Sequence, residues 1–367
     1  MLNKMNSVKK HNFNLNKENK RNTNIQKLKQ HTEWKTNVNF SQDKTQAVPM
    51  EELQAEQDES IDGTLIANTV DVGETNLWDK LRGLFGYETA RDAAMEIFAN
   101  NHLPAVNKEE IESIKNIGAN SENILITLNS GDTYLFDSEQ RIIGIHTSEY
   151  DIHYDYEVSD AMKQNIYERY GLDMSVPLDY MASVDIRGHR MWYYSTGAHE
   201  EGSTIITPIN FTEQYKKFPD AILEAMCSSM DGILIGPREN SPFNPLDGKY
   251  GAYVAENQLG QTFMFVPDSV DFESDYYITK TPLHEGAHIV EKSIELDQRQ
   301  LQQLFSNYKE ILPQLSQSCY SVSADYQVTP NSKEFFADAV TNYFLNPTEL
   351  ERYLPEVYAF VDAIFNG

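Results

Sequence analysis

Among the 367 residues, one stretch combines the side-chain types and spacing of a metal site: Thr281-Pro-Leu-His-Glu-Gly-Ala-His288. On an α-helix His284 and His288 stand one turn apart, about 6 Å in rise, so both imidazoles leave the same face. Two rings so placed can reach a single zinc ion at about 2.0–2.1 Å. Glu285 projects beside them, placed to take a proton from a water at the metal. Thr281 reads as the N-cap and Pro282 as the first helical residue, with the helix running on through Ile289, Val290 and Ile294.

A catalytic zinc ion takes three protein ligands and leaves a fourth position open. A further His ten residues after His284 would complete a metzincin site, but position 294 is Ile294. Glu291 and Glu295 share the histidine face, yet 284 to 291 spans about 10 Å along a straight helix, too far to converge. Glu334, in Lys333-Glu-Phe-Phe-Ala-Asp338, is the better third ligand. Phe335, Phe336, Ala339, Val340, Tyr343 and Phe344 form an apolar helical face, leaving Glu334 and Asp338 one turn apart on a polar stripe. Asp338 is then placed to accept the remaining N–H of a ligand histidine and fix its tautomer. The segment Cys319–Tyr326 brings Tyr320 and Tyr326 close before Glu334. A tyrosine hydroxyl there could hold an oxyanion or protonate a leaving amine.

These residues need a scaffold. The runs 232–236 (GILIG) and 262–266 (TFMFV) read as strands, and 262–266 is the strand expected to pair with an extended substrate. The segment 301–315 repeats apolar residues at helical spacing, and the chain after 281 reads as helical to its end. Strands followed by helices make residues 181–367 an α+β domain. Upstream, 76–100 reads as helix and 123–145 as a β-meander turning at 129–132 and 137–140. Residues 61–180 therefore form a smaller α/β accessory module, whose lone His102, His146 and His153 make no catalytic set.

Residues 1–45 carry ten basic and three acidic side chains, net +7, with apolar residues scattered singly. Such a stretch cannot bury enough surface to offset its ordering entropy, so 1–60 reads as a disordered basic tail and linker. It has neither the apolar core nor the cleavage site of a secretory signal. The remainder holds 20 basic and 53 acidic groups, net −33, a field that repels nucleic acid and suits basic peptides. The acidic side chains Asp268, Asp271, Glu273 and Asp275 precede the histidine helix and would favour basic residues beside a cleaved bond. No apolar run approaches the ~18–20 residues of a membrane helix, and two cysteines, Cys227 and Cys319, cannot staple a fold of this size.

HEGAH, then YQVTPNSKEFFADAV, then LPEVYAFVDAIF resembles the catalytic domain of anthrax lethal factor and its relatives, which include the Pro-Pro endopeptidases. The likeness covers roughly 181–367, and its specific part 281–365. It implies a zincin-like metallopeptidase domain with one Zn2+ per chain, His284, His288 and Glu334 as ligands, Glu285 as general base and Asp338 behind the ligands. The family places its assisting tyrosine seven residues before the ligand Glu. That position here is Gln327, with Tyr326 one residue earlier and Tyr320 as the fallback.

The function expected is zinc-dependent endopeptidase cleavage of a protein or peptide substrate. The resemblance adds a toxin-like, secreted or delivered role, with delivery machinery contacting the tail in place of a signal peptide. Two rivals stand beside it: a non-catalytic lethal-factor-like binding module, and a housekeeping cytoplasmic metallopeptidase. Retention of Glu285 argues against the first, since a binding module needs no base.

Overall fold

The computed structural model describes residues 90–117, 123–197, 204–242, 252–270, 275–312 and 331–366. The tail and linker of 1–60, the start of the 76–100 helix, and Tyr320 and Tyr326 lie outside the described residues. All described residues belong to one compact unit, Gln46–Asn366.

Local sequence accounts for the first strands. In β5 (Tyr150–Asp155), Tyr150, Ile152 and Tyr154 are buried while Asp151 and His153 face outward, the alternation of a sheet with one solvated face. The two expected turns form between β2 (Asn123–Leu128), β3 (Thr133–Phe136) and β4 (Ile142–His146). Gly131 supplies the positive φ of +92° in the first. In the second, the Asp137 carboxylate accepts from the N–H groups of Glu139 and Arg141, both at 2.9 Å.

These strands join β1 (Ile111–Ile117), β6 (Tyr180–Ile186) and β7 (His189–Ser195) in an antiparallel meander. The sheet then changes character. β7 runs parallel to β9 (Met230–Gly236), and β9 parallel to β11 (Thr262–Pro267). The strand β10 (Tyr253–Glu256) pairs antiparallel with β11 and closes that edge. The full order is β1-β2-β3-β4-β5-β6-β7-β9-β11-β10. The sheet thus runs unbroken across residue 180, where the sequence reading divides the accessory module from the catalytic one. The strands β8 (Thr204–Ile205) and β12 (Ser269–Val270) form a separate small ladder.

Parallel neighbours need a crossover, and the step from β7 to β9 supplies α3 (Pro208–Tyr215) and α4 (Asp220–Ser229). With α1 (Ala90–Asn100), α5 (Asp275–Ser293), α6 (Gln298–Tyr308), α7 (Ser332–Leu345), α8 (Pro347–Tyr353) and α9 (Pro355–Phe365), they cover one face over a core including Phe136, Val184, Tyr193 and Ile233. Helix α2 (Asp160–Tyr170) packs Met162, Ile166 and Tyr170 on the other face, against Tyr194, Leu234, Phe263 and Phe265. The molecule is a mixed α+β fold. No helix among the described residues is long and apolar enough to cross a membrane.

Two expectations need correction. The strand 262–266 is interior, paired on both sides by β9 and β10, so among the described residues the edge strand on this side is β10. The histidine helix begins at Asp275, which puts Thr281 and Pro282 inside it. Proline there leaves the Ile278 carbonyl without its N–H partner. Tertiary packing outweighs that loss: Tyr277 and Ile278 rest on the core, and the Tyr277 hydroxyl donates to the Pro267 carbonyl at 2.9 Å.

Candidate metal centre

The two site helices, α5 and α7, pack directly on each other. Helix α5 presents His284 and His288 one turn apart, with ring centroids separated by 5.1 Å. Helix α7 starts at the Asn331 cap and carries Glu334 in its first turn. Glu334 Oε2 lies 3.1 Å from His284 Nε2, and Oε1 lies 3.4 Å from His288 Nε2. One ligand atom from each residue falls within 4.8 Å of the others, and among the described residues no other group of histidines, cysteines and carboxylates does so.

The donor set fits a zinc ion. Two donors at about 2.0–2.1 Å from a tetrahedral ion stand about 3.3 Å apart, close to both separations observed. One carboxylate with two imidazoles is a ligand set that zinc accepts. Asp338, one turn along α7, places Oδ1 3.1 Å from His284 Nδ1. An Nδ1–H donated to Asp338 leaves Nε2 as the free lone pair, and Nε2 is the nitrogen facing Glu334.

Burial sharpens the electrostatics. His284 is 5% exposed, Glu285 6% and Asp338 4%. Burial disfavours a charged His284 ring, but hydrogen bonds to Asp338 and then Glu334 outweigh it and push its pKa up to about 10. Burial would also raise Glu334, yet hydrogen bonds from His284 and His288 hold its carboxyl far below the usual range. For Glu285 burial prevails over the two nearby imidazoles, and its pKa is raised. A carboxylate that binds protons more readily than usual suits a general base.

Several neighbours went unrecognised in the sequence. Gly286 faces Tyr215 of α3, and a Cβ there would stand 2.8 Å from Tyr215 Cε1 and 3.2 Å from its hydroxyl oxygen. Glycine in this motif therefore lets α3 approach α5. No sequence signal marked Tyr215, because the approach is long-range. Asn331 did carry one: Asn-x-x-Glu before an apolar run is the pattern of a capped helix start. Glu291 is not at the metal position. Its carboxylate is 8% exposed and lies 3.8 Å from Lys333 Nζ.

Asp268, expected to favour basic residues beside a cleaved bond, is buried instead. It is 2% exposed, and its backbone is held by Gly236 and Ile206. Asp271 and Glu273 lie outside the described residues, and Asp275 opens α5. Of the lone histidines, His146 pairs with Asp151 on the open sheet face.

No family model and no curated protein matches this chain. The resemblance to lethal factor therefore rests on the motif residues alone.

Proposed function

We propose that this chain is a zinc-dependent metalloendopeptidase with a zincin-like, lethal-factor-like catalytic domain. The observation that carries the reading is the convergence of His284, His288 and Glu334 within 4.8 Å, with Glu285 beside them on the same helix. The histidine spacing and the carboxylate arrive from separate helices 50 residues apart in sequence, a coincidence that plain helix packing does not require.

A bound zinc ion would supply Lewis-acid polarisation of a water and of the scissile carbonyl. Glu285 takes the proton from that water and delivers it to the leaving nitrogen, so its carboxylate ends the cycle as it began. Asp338 keeps His284 in the tautomer that offers Nε2. β10, the edge strand on this side among the described residues, would give an extended substrate a main-chain partner. Tyr326, or Tyr320 in its place, would steady the developing oxyanion. A protein substrate and a toxin-like role outside the producing cell follow from the resemblance, with the basic tail as the contact for delivery machinery. Greater toxicity in foreign than in native cells would support that role, and equal tolerance would favour a housekeeping peptidase.

The deciding experiment measures metal content and cleavage of a mixed peptide library together. Wild type should hold about one zinc per chain, and Glu334→Ala should lose it. Glu285→Ala should keep the metal and lose cleavage. Wild type without zinc and without cleavage would sink the reading in favour of a binding module, and cleavage undiminished in Glu285→Ala would overturn Glu285 as the base.

A further inference from the structure

Glu334 occupies the third position of α7. That is where helices fray, because the first four N–H groups have no partner within the helix. A metal ligand must nevertheless be held to within about 0.5 Å. Three consecutive residues before Glu334 are each tied to something different. Asn331 Oδ1 accepts from the N–H of Lys333 at 2.9 Å and from that of Glu334 itself at 3.0 Å. Ser332 Oγ accepts from Gln302 Nε2 of α6 at 2.6 Å. Lys333 Nζ meets the Glu291 carboxylate of α5, the helix that also carries both imidazoles.

We propose that Asn331 is a positioning residue for the metal centre. It acts through Glu334: its side chain fixes the turn that carries the ligand, while the Ser332–Gln302 and Lys333–Glu291 contacts hold that turn against α6 and α5. The rest of α7 does not depend on the cap, because Phe335 through Tyr343 are buried. Loss of the cap therefore loosens the first turn alone, and its effect concentrates on Glu334. The inference rests on the metallopeptidase reading of the site.

The test is zinc affinity of the full chain, measured by competition with a fluorescent chelator. The set comprises wild type, Asn331→Ala, Asn331→Ser and a control on the other face of the sheet, Ser159→Ala. Ser159 caps α2 by accepting from the Met162 N–H at 3.3 Å. Asn331→Ala should weaken zinc binding roughly tenfold, the scale of losing a group that orients a ligand. Asn331→Ser keeps an acceptor and should return affinity to within about twofold of wild type. Ser159→Ala should bind as wild type does. Unchanged affinity in Asn331→Ala would overturn the inference alone, as would an equal loss in Ser159→Ala, which would assign the effect to general stability. A wild-type chain that binds no zinc would overturn the metallopeptidase reading and this inference with it.

Discussion

Protonation at the centre is set by a handful of contacts, and its sign can be worked out. His284 has a pKa raised to about 10, against an unfolded value of about 6.5. The stability it contributes to the protein without metal is full below that unfolded value and is lost as pH rises through the folded one. Glu334 works in the other direction: its contribution is present above the ordinary carboxylate range and lost as pH falls through its depressed value. Zinc needs a neutral imidazole, so binding near pH 7.5 should expel about one proton. Calorimetric titration in buffers of different ionisation enthalpy would show it, and enthalpies independent of buffer would refute it. Asp338→Asn should lower the His284 pKa, shrink that proton release, and weaken zinc roughly 10–100-fold. At Gly286 an alanine would gain about 0.5–1 kcal/mol of helix preference, but crowding against Tyr215 should cost about 1–3 kcal/mol. Gly286→Ala should therefore lower the melting temperature. Tyr215→Phe should be neutral or mildly stabilising, because the Tyr215 hydroxyl is buried with no hydrogen-bond partner among the described residues.

Elements depend on contacts that the sequence pattern does not reveal. Arg169, the penultimate residue of α2, donates to Asp231 of β9 at 2.9 Å, and Asn257 beyond β10 donates to the same carboxylate at 2.7 Å. The two charged side chains are 11% and 7% exposed. Asp231→Ala should cost about 3–5 kcal/mol in chemical denaturation, because it strands a nearly buried guanidinium. A loss under about 1 kcal/mol would place the pair among surface bridges. The site was legible where chemistry follows local spacing. His284 with His288, and Glu334 with Asp338, are one-turn repeats that any helix would align. The start of α5 was not legible, since Pro282 signals a helix start by local rule and only the packing of Tyr277 and Ile278 overrules it. Nor was the interior place of β11, because an apolar pentapeptide does not state who its neighbours are. Tyr215 escaped for the same reason: its importance lies in meeting Gly286, about 70 residues on.

At the scale of the whole molecule, one sheet serves both the meander and the helices of the candidate metal centre. The strand pair β5–β6 crosses the sequence boundary at 180 with continuous register, from Tyr150↔Ile186 to Asp155↔Met181. Unfolding of the meander should thus be coupled to loss of the site. Denaturation of a Trp34→Phe, Trp78→Phe chain, which leaves Trp192 of β7 as its tryptophan signal, and release of bound zinc should give coincident transitions. Two separated transitions would make the meander an independent unit.

The buttressing of α7 has a consequence in time. The helix bearing Glu334 rests on α9, which follows it: Phe336 meets Phe360, and the Tyr343 hydroxyl donates to Asp362 at 2.9 Å. While a ribosome still encloses α9, the segment bearing Glu334 has been made but lacks these two contacts. The histidine helix, though already outside, waits for its carboxylate partner to be braced. In a growing polypeptide the three side chains thus come together with the fold around them rather than ahead of it.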